Sequence, residues 1–249
     1  MLILLPPSET KRPGGRARPL DVGALALQGL APQREAVVDA LVALSADEDA
    51  AARVLKLSAR QRGEIADNAA LRSAPTMPAV DRYTGVLYDA LDAASLDAPA
   101  RRWLGTHVMI QSAPFGPVGA LDAIPAYRLS AGASLPGIPP LRRVWADAAG
   151  AALADATPRF VLDLRSEAYV ALGPVPAGIP TAYVRVVTDA GDGVTRALNH
   201  FNKHAKGALV RLLAQTRPRI GGTAAFLTWA GRAGLTARSG APGEVDLVV

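Results

Sequence analysis

The segment ALNHFNKHAKGALVRLL, residues 197–213, holds two of the chain's four lysines, Lys203 and Lys206. It also holds two of its three histidines, His200 and His204, while positive charge elsewhere is nearly all arginine. Lysine is a compact point charge whose amine becomes a base or nucleophile when burial lowers its pKa. Lysines three positions apart on a helix lie on one side, so the pair suits a phosphate or another anion. His200 and His204 have the i, i+4 spacing with which one helix can hold zinc. His200 is followed by Phe201 rather than the glutamate of a metalloprotease helix, and the remaining histidine is His107. No metal and no cofactor are therefore expected. Leu198, Phe201, Ala205, Ala208 and Leu212 recur at helical steps and predict an apolar stripe against the body of the protein. Arg196, Asn199, Lys203 and Lys206 would form the opposite polar row. Gly207 would admit the close approach of a backbone or a ligand. The competing reading of this row is an ordinary solvated helix face.

Three further stretches carry candidate chemistry. In VLDLRSEAYV, residues 161–170, Ser166, Glu167 and Tyr169 follow a buried apolar run, where polar groups at a strand end commonly face a cleft. Asp163 lies inside that run, and a carboxylate there needs a partner, which Arg165 or a lysine could supply. A helix cap is the alternative role for Ser166. In QSAPFGPVGALDAIPAYRLSAG, residues 111–132, Ser112 and Gly116 follow a strand and Arg128 follows Tyr127. This stretch has no Walker A ending, no dinucleotide fingerprint and no G-x-S-x-G elbow. The loop PPSETKRPGGRARP after the first strand carries Lys11, Arg12, Arg16 and Arg18.

The elements that must position these groups follow from periodicity and breakers. MLILL, stopped by Pro6 and Pro7, predicts a buried first strand. Further strands are expected over 107–111, 160–164, in TAYVRVVT, in AYRLS and at the terminal GEVDLVV. Helices are expected in APQREAVVDALVALSA, around Tyr83 to Leu91, over 99–104, in PPLRRVWADAAGAALADA and in the lysine segment. AAFLTWAGRAGL fits helix or strand. Residues 47–71 read as two short helices with a tight joint, Asp47 or Ser45 capping the first and Ser58 the second. Alternating strands and helices predict an α/β protein with a largely buried mixed sheet. With no clean linker and no repeat, residues 1–249 are expected to form one compact domain.

Composition narrows the function classes. Half of the 249 residues are hydrophobic and a fifth are charged, as in ordinary globular chains. The absence of cysteine excludes disulfides and thiolate catalysis and fits a cytoplasmic location. The apolar start ends at Leu5, too short for a signal peptide, and no run suits a membrane helix. A net charge of +5 favours polyanionic partners.

Five landmarks in order resemble the YaaA family of peroxide-stress proteins along nearly the whole chain. They are MLILLPPSETK with Lys11, YTGVLYDAL with Tyr83 and Gly85, the 111–132 block, VLDLRSEAYV, and NKHAKGALVRLL. The chain departs from the family pattern in four places. Ser130 stands where the family has glutamate, and Gly119–Ala120 where it has Arg-Pro. Asp163 replaces asparagine, with Arg165 at a usually small position, and Lys203–His204 replaces a lysine pair. The resemblance implies an α/β fold with a positive cleft, a helix–hairpin–helix-like segment at 47–71 suited to DNA, and a role in limiting damage when peroxide meets iron. Two functions are expected on this basis. One is sequence-independent binding of double-stranded or structured DNA, with Lys11, Arg12, Arg128, Lys203 and Lys206 in one groove and Lys56, Arg60 and Arg62 at its edge. The other is an enzyme for a small anionic or nucleotide-like metabolite, in which Lys11, Tyr83, Ser112, Arg128, Ser166 and Lys203 converge in a pocket. A diverged relative without the ancestral activity is the third possibility.

Overall fold

The computed structural model describes the backbone of residues 1–190, 194–197 and 199–249, and the side chains of residues 1–188 and 201–249. Strand β1 (Leu2–Leu5) lies at the centre of the main sheet, with Ile3, Leu4 and Leu5 all buried. A strand covered on both faces reads as a continuous apolar run, and Pro6 and Pro7 end it because they bring no N–H to the ladder.

Helices α1 (Ala31–Leu44), α2 (Glu48–Val54) and α3 (Ile65–Ala69) follow. A short ladder of β2 (Met77–Pro78) with β5 (Ala123–Ile124) flanks α4 (Ala79–Arg82), and α5 (Val86–Leu91) and α6 (Ala98–His107) come next. The hairpin of β3 (Val108–Ser112) and β4 (Gly116–Gly119) precedes β5. The second half contains α7 (Leu141–Asp155), β6 (Val161–Asp163), α8 (Glu167–Val170), β7 (Thr181–Ala190) and β8 (Val194–Ala197). It ends with α9 (Asn199–Thr216), α10 (Thr223–Arg232), β9 (Thr236–Ser239) and β10 (Glu244–Val248).

The sheet order is β4-β3-β1-β6-β7-β10-β9, with β8 paired to the far end of β7. β1 runs parallel to β3 and β6, β6 to β7, and β7 to β10. The two edges, β4 and β9, are antiparallel. The chain leaves β1 toward β3 and leaves β6 toward β7. The crevice beyond the carboxyl ends of β1 and β6 is therefore a topological switch point, where α/β sheets place ligands. β6 ends at Asp163, opposite Tyr183, while β7 continues to Ala190. That difference in length opens a space above the end of β6.

The α/β class and the mixed sheet agree with the sequence reading, and the sheet is mostly parallel, but several local expectations are corrected. AYRLS is not a strand. Asn68 holds Arg128 by both backbone groups, Nδ2 donating to its carbonyl at 2.9 Å and Oδ1 accepting from its N–H at 2.7 Å. Helix α5 begins at Val86 rather than Tyr83, whose extended backbone pairs with Lys11. AAFLTWAGRAGL is helical, as α10. Residues 47–71 form α2, a 3-10 turn over Ala59–Glu64, and α3. Asp47 caps the first by accepting from the Ala50 N–H, and Ser58 forms a capping box with Gln61. The joint places Lys56 at φ +55°.

The largest correction concerns α9. Its buried side is Lys206, Leu209, Val210, Leu213 and Ala214, whereas Phe201 of the expected apolar stripe is 63% exposed. Gly207 causes this rotation: a Cβ there would lie 2.0 Å from the Leu87 carbonyl oxygen of α5. Only a glycine lets the two helices meet this closely, and the contact turns Lys206 inward. Arg196, Leu198, Asn199 and His200 of the expected rows lie outside the described side chains.

Candidate functional site

A cavity of about 1100 Å³ occupies the space above β6. Its walls are the Pro6–Thr10 loop after β1, the start of α5, the Leu164–Tyr169 turn into α8, the middle of β7, and α9. Lys206 and Lys203 enter from α9, Ser166 from the turn, Tyr183 and Arg185 from β7, and Tyr88 from α5. Tyr88 is fixed by donating to the Pro6 carbonyl at 2.7 Å. Lys206 is 5% exposed, and its ammonium lies 5.5 Å from the centre of the Tyr183 ring. It makes no hydrogen bond or ion pair with the described residues. Burial pulls its pKa down to about 8, and the attraction of Asp163 only partly opposes this. One turn earlier, Asn202 presents a buried Oδ1 without a partner among the described residues. The cavity also carries Glu9, Glu167 and Glu244, the last paired with Arg185 at 3.1 Å.

Lys11 lies behind the loop wall rather than in the cavity. Its ammonium donates to the carbonyls of Ser8 (3.1 Å) and Glu9 (3.3 Å) and sits 4.0 Å from the centre of the Tyr127 ring. Desolvation lowers its pKa to about 8, with Arg128 acting in the same direction and Glu9 against it. Tyr83 and Tyr127 share a buried hydroxyl–hydroxyl hydrogen bond of 2.8 Å. Burial pushes the Tyr127 phenol well up and raises that of Tyr83. Arg128 completes the cluster by pairing with Glu9 at 3.2 Å and Glu64 at 3.4 Å. Lys11, Tyr83 and Arg128 thus converge with one another. Ser166, Lys203 and Lys206 converge across the loop, and residues 8–11 join the two groups.

The remaining sequence candidates lie elsewhere. Ser112 is fully buried, and its Oγ accepts from the Phe115 N–H inside the β3–β4 turn, so it does not line the cavity. Arg12, Lys56, Arg60 and Arg62 are exposed and outside the cavity wall, and Arg62 pairs with Asp49 at 2.9 Å. Ser166 stands at the N-terminus of α8 without a side-chain capping bond. His204 is exposed, His107 stacks on Trp103 at 4.3 Å, and no metal-binding cluster occurs among the described residues.

Asp163 has the partner the sequence demanded. Arg165 Nε and Nη2 reach its two oxygens at 2.9 and 2.7 Å, and Nη1 reaches the Gly173 carbonyl at 2.7 Å. Sequence reading missed Tyr88, Tyr183, Arg185 and Asn202 as wall residues. The signal for two of them was present in β7, where Tyr183 and Arg185 alternate with the buried Ala182, Val184 and Val186.

Residues 1–228 match the family model described as peroxide stress protein YaaA. The chain belongs to the YaaA peroxide-stress family. It is 48% identical to a UPF0246 protein of Corynebacterium efficiens over 228 residues, covering 90% of this chain and 89% of the relative. It is also 42% identical to a UPF0246 protein of Streptomyces coelicolor over 257 aligned positions, covering 100% of this chain and 98% of the relative. The landmark segments of the YaaA pattern fall on the two joined groups: Lys11 and Tyr83 on the tyrosine cluster, the VLDLRSEAYV and NKHAKG segments on the cavity. No helix among the described residues is long and apolar enough to cross a membrane.

Proposed function

We propose that this YaaA-family chain serves in peroxide stress by binding a small anionic, nucleotide-sized molecule in the cavity between β7 and α9. The observation that carries this reading is Lys206, a buried ammonium with no ion-pair partner among the described residues, at the wall of a ligand-sized space. Burying a charge is unfavourable unless something compensates it, and an anion entering the cavity would do so. Lys203, one turn away on the same helix and exposed, would meet the same anion from the solvent side. Apolar and aromatic walls with a few convergent polar groups are the usual make-up of small-molecule sites. Glu9, Glu167 and Glu244 give the cavity mixed sign, which suits a ligand with hydroxyls or amines better than a bare polyphosphate backbone. Calorimetry with AMP and with inorganic phosphate tests this. Saturable binding that Lys206→Gln weakens at least tenfold is expected. Absence of binding by the intact protein would defeat the reading.

DNA binding, double-stranded or structured, is the second reading. It is favoured by the exposure of Arg12, Lys56, Arg60 and Lys203 and by the basic charge balance. Phosphate contacts make such affinity fall steeply with salt. A salt series with linear and four-way-junction DNA would therefore show a strong slope that Lys56→Ala/Arg60→Ala reduces.

A further inference from the structure

The proposed anion site accounts for Lys203 directly, but it leaves unexplained why the second lysine is buried beneath α5 and against Tyr183. A cation meant only to attract an anion works from the surface without the cost of burial. Lys206 is instead 5% exposed, with its ammonium 5.5 Å from the centre of the Tyr183 ring, on a helix held against α5 by the adjacent Gly207 contact, and it makes no ion pair with a described carboxylate. A lysine desolvated in this manner is the arrangement that favours the neutral, nucleophilic amine. Its pKa, lowered to about 8, agrees with the geometry. Around it stand groups that can manage protons. Glu167 lines the same cavity, and the Tyr183 phenol keeps its proton because burial raises its pKa. Asn202 Oδ1, buried and without a partner among the described residues, is placed to accept from a ligand hydroxyl.

We infer that the ligand is an anionic aldehyde or ketone, such as a sugar phosphate or a 2-oxo acid, and that Lys206 condenses with its carbonyl to form an imine. The inference rests on the proposed anion site. The Lys206 amine lone pair adds to the carbonyl carbon, and the C=O π pair moves to oxygen, which takes a proton. The resulting carbinolamine accepts a second proton on that hydroxyl and loses water as the nitrogen lone pair forms C=N. The protons lost from nitrogen balance those taken up, so the net change is amine plus carbonyl giving imine plus water, with no oxidant or reductant. Lys203 holds the anionic group, and the cavity separates the imine from bulk solvent.

The sequence makes the test clean, because the chain has four lysines: Lys11, Lys56, Lys203 and Lys206. The full-length protein is incubated separately with ribose 5-phosphate and with glyoxylate in the presence of sodium cyanoborohydride, and the adducts are mapped by peptide mass spectrometry. The expected result is labelling of Lys206 at least tenfold above exposed Lys56 with one of the two probes. Lys206→Arg should abolish it while retaining phosphate binding in calorimetry, since arginine keeps the charge but not the nucleophile. Lys203→Ala should leave the label on Lys206 but raise the probe concentration needed. Labelling that follows exposure, with Lys56 ahead of Lys206, overturns the inference, as does an absence of adducts in a protein that binds phosphate. Loss of phosphate binding in the intact protein would instead overturn the anion site itself.

Discussion

Gly207→Ala is the sharpest mechanical probe of the site, because Gly207 sets the distance between α5 and α9. An added Cβ would lie 2.0 Å from the Leu87 carbonyl oxygen and 2.9 Å from the Ala90 Cβ. The obstructing atom is backbone, so no rotamer change relieves it, and the helices must separate by about 1 Å to reach 3.0 Å. Overpacking of this kind costs about 1–3 kcal/mol, and a backbone collision belongs at the upper end. Alanine returns about 1 kcal/mol of helix propensity, leaving a net loss of about 2 kcal/mol. For a chain of this length that lowers Tm by about 4–8 °C. Gly231→Ala in α10 is the control, since nothing lies within 4 Å of its new Cβ. It should stabilise by up to about 1 kcal/mol through the same propensity effect. Differential scanning calorimetry of both variants therefore gives shifts of opposite sign. Separating α9 from α5 also shifts Lys206 and Lys203 relative to the cavity wall, so Gly207→Ala should weaken phosphate binding while Gly231→Ala leaves it unchanged. A Gly207→Ala protein as stable as its parent would refute the close helix contact and the forced burial of Lys206.

The other predictions concern buried polar groups. Arg165→Met takes the guanidinium from the buried Asp163 and leaves it only the backbone N–H of residue 165, which should cost about 3–5 kcal/mol by denaturant titration; Asp163→Asn/Arg165→Ala should recover part of that loss. Tyr83→Phe deprives the buried Tyr127 hydroxyl of its partner and should cost about 1–2 kcal/mol; the double variant with Tyr127→Phe should be less destabilised than twice that. Lys206→Met should stabilise the protein at pH 7. A folded pKa of about 8, below the ordinary 10.5, means the folded state holds the proton less tightly than the unfolded one. At 1.36 kcal/mol per pKa unit the burial penalty is about 3 kcal/mol. It is fully present below pH 8 and fades as pH rises from about 8 to 10.5, so the advantage of Lys206→Met in thermal melts should shrink across that window. The charged groups around Lys206 at the cavity, namely Lys203, Asp163, Glu167, Arg185 and Glu244, are common to both proteins.

The parts of the fold visible in the sequence were those whose signals are local. LILL and VLD announce strands buried on both faces, and the helical period of residues 31–44 and 141–155 announces helices. β4 was hidden because three of the four residues of GPVG, two glycines and a proline, normally break strands. Its ladder to β3 depends on Gly116 at φ +63°, where a Cβ would lie 2.7 Å from the Trp145 ring. β9 was hidden for the opposite reason, since TARS at an exposed edge has no apolar alternation to read. The face of α9 was misread because periodicity cannot register a contact with α5, more than a hundred residues earlier. That contact buries a lysine and leaves a phenylalanine in solvent. The candidate residues Lys11, Ser166, Lys203 and Lys206 stood out by type and position and Tyr83 through the resemblance to the YaaA pattern, but the division of these candidates into two groups was not legible. It depends on the path of the Ser8–Lys11 loop, stitched by the Arg12 N–H to the Arg82 carbonyl at 2.8 Å.

The departures from the YaaA pattern bear on this division. Ser130 is not part of the cavity wall, and its backbone carbonyl accepts from Ala133 in a turn. Gly119 and Ala120 serve the β3–β4 edge, where Asp122 accepts from the Gly119 and Ala26 N–H groups. Asp163 is the one that approaches Lys206, and it arrives together with Arg165. Both of its oxygens are held by the guanidinium, at 2.9 and 2.7 Å. Bound by Arg165, it raises the lysine pKa less than burial lowers it. The two departures thus pair with each other, and Lys206 keeps no ion-pair partner among the described residues.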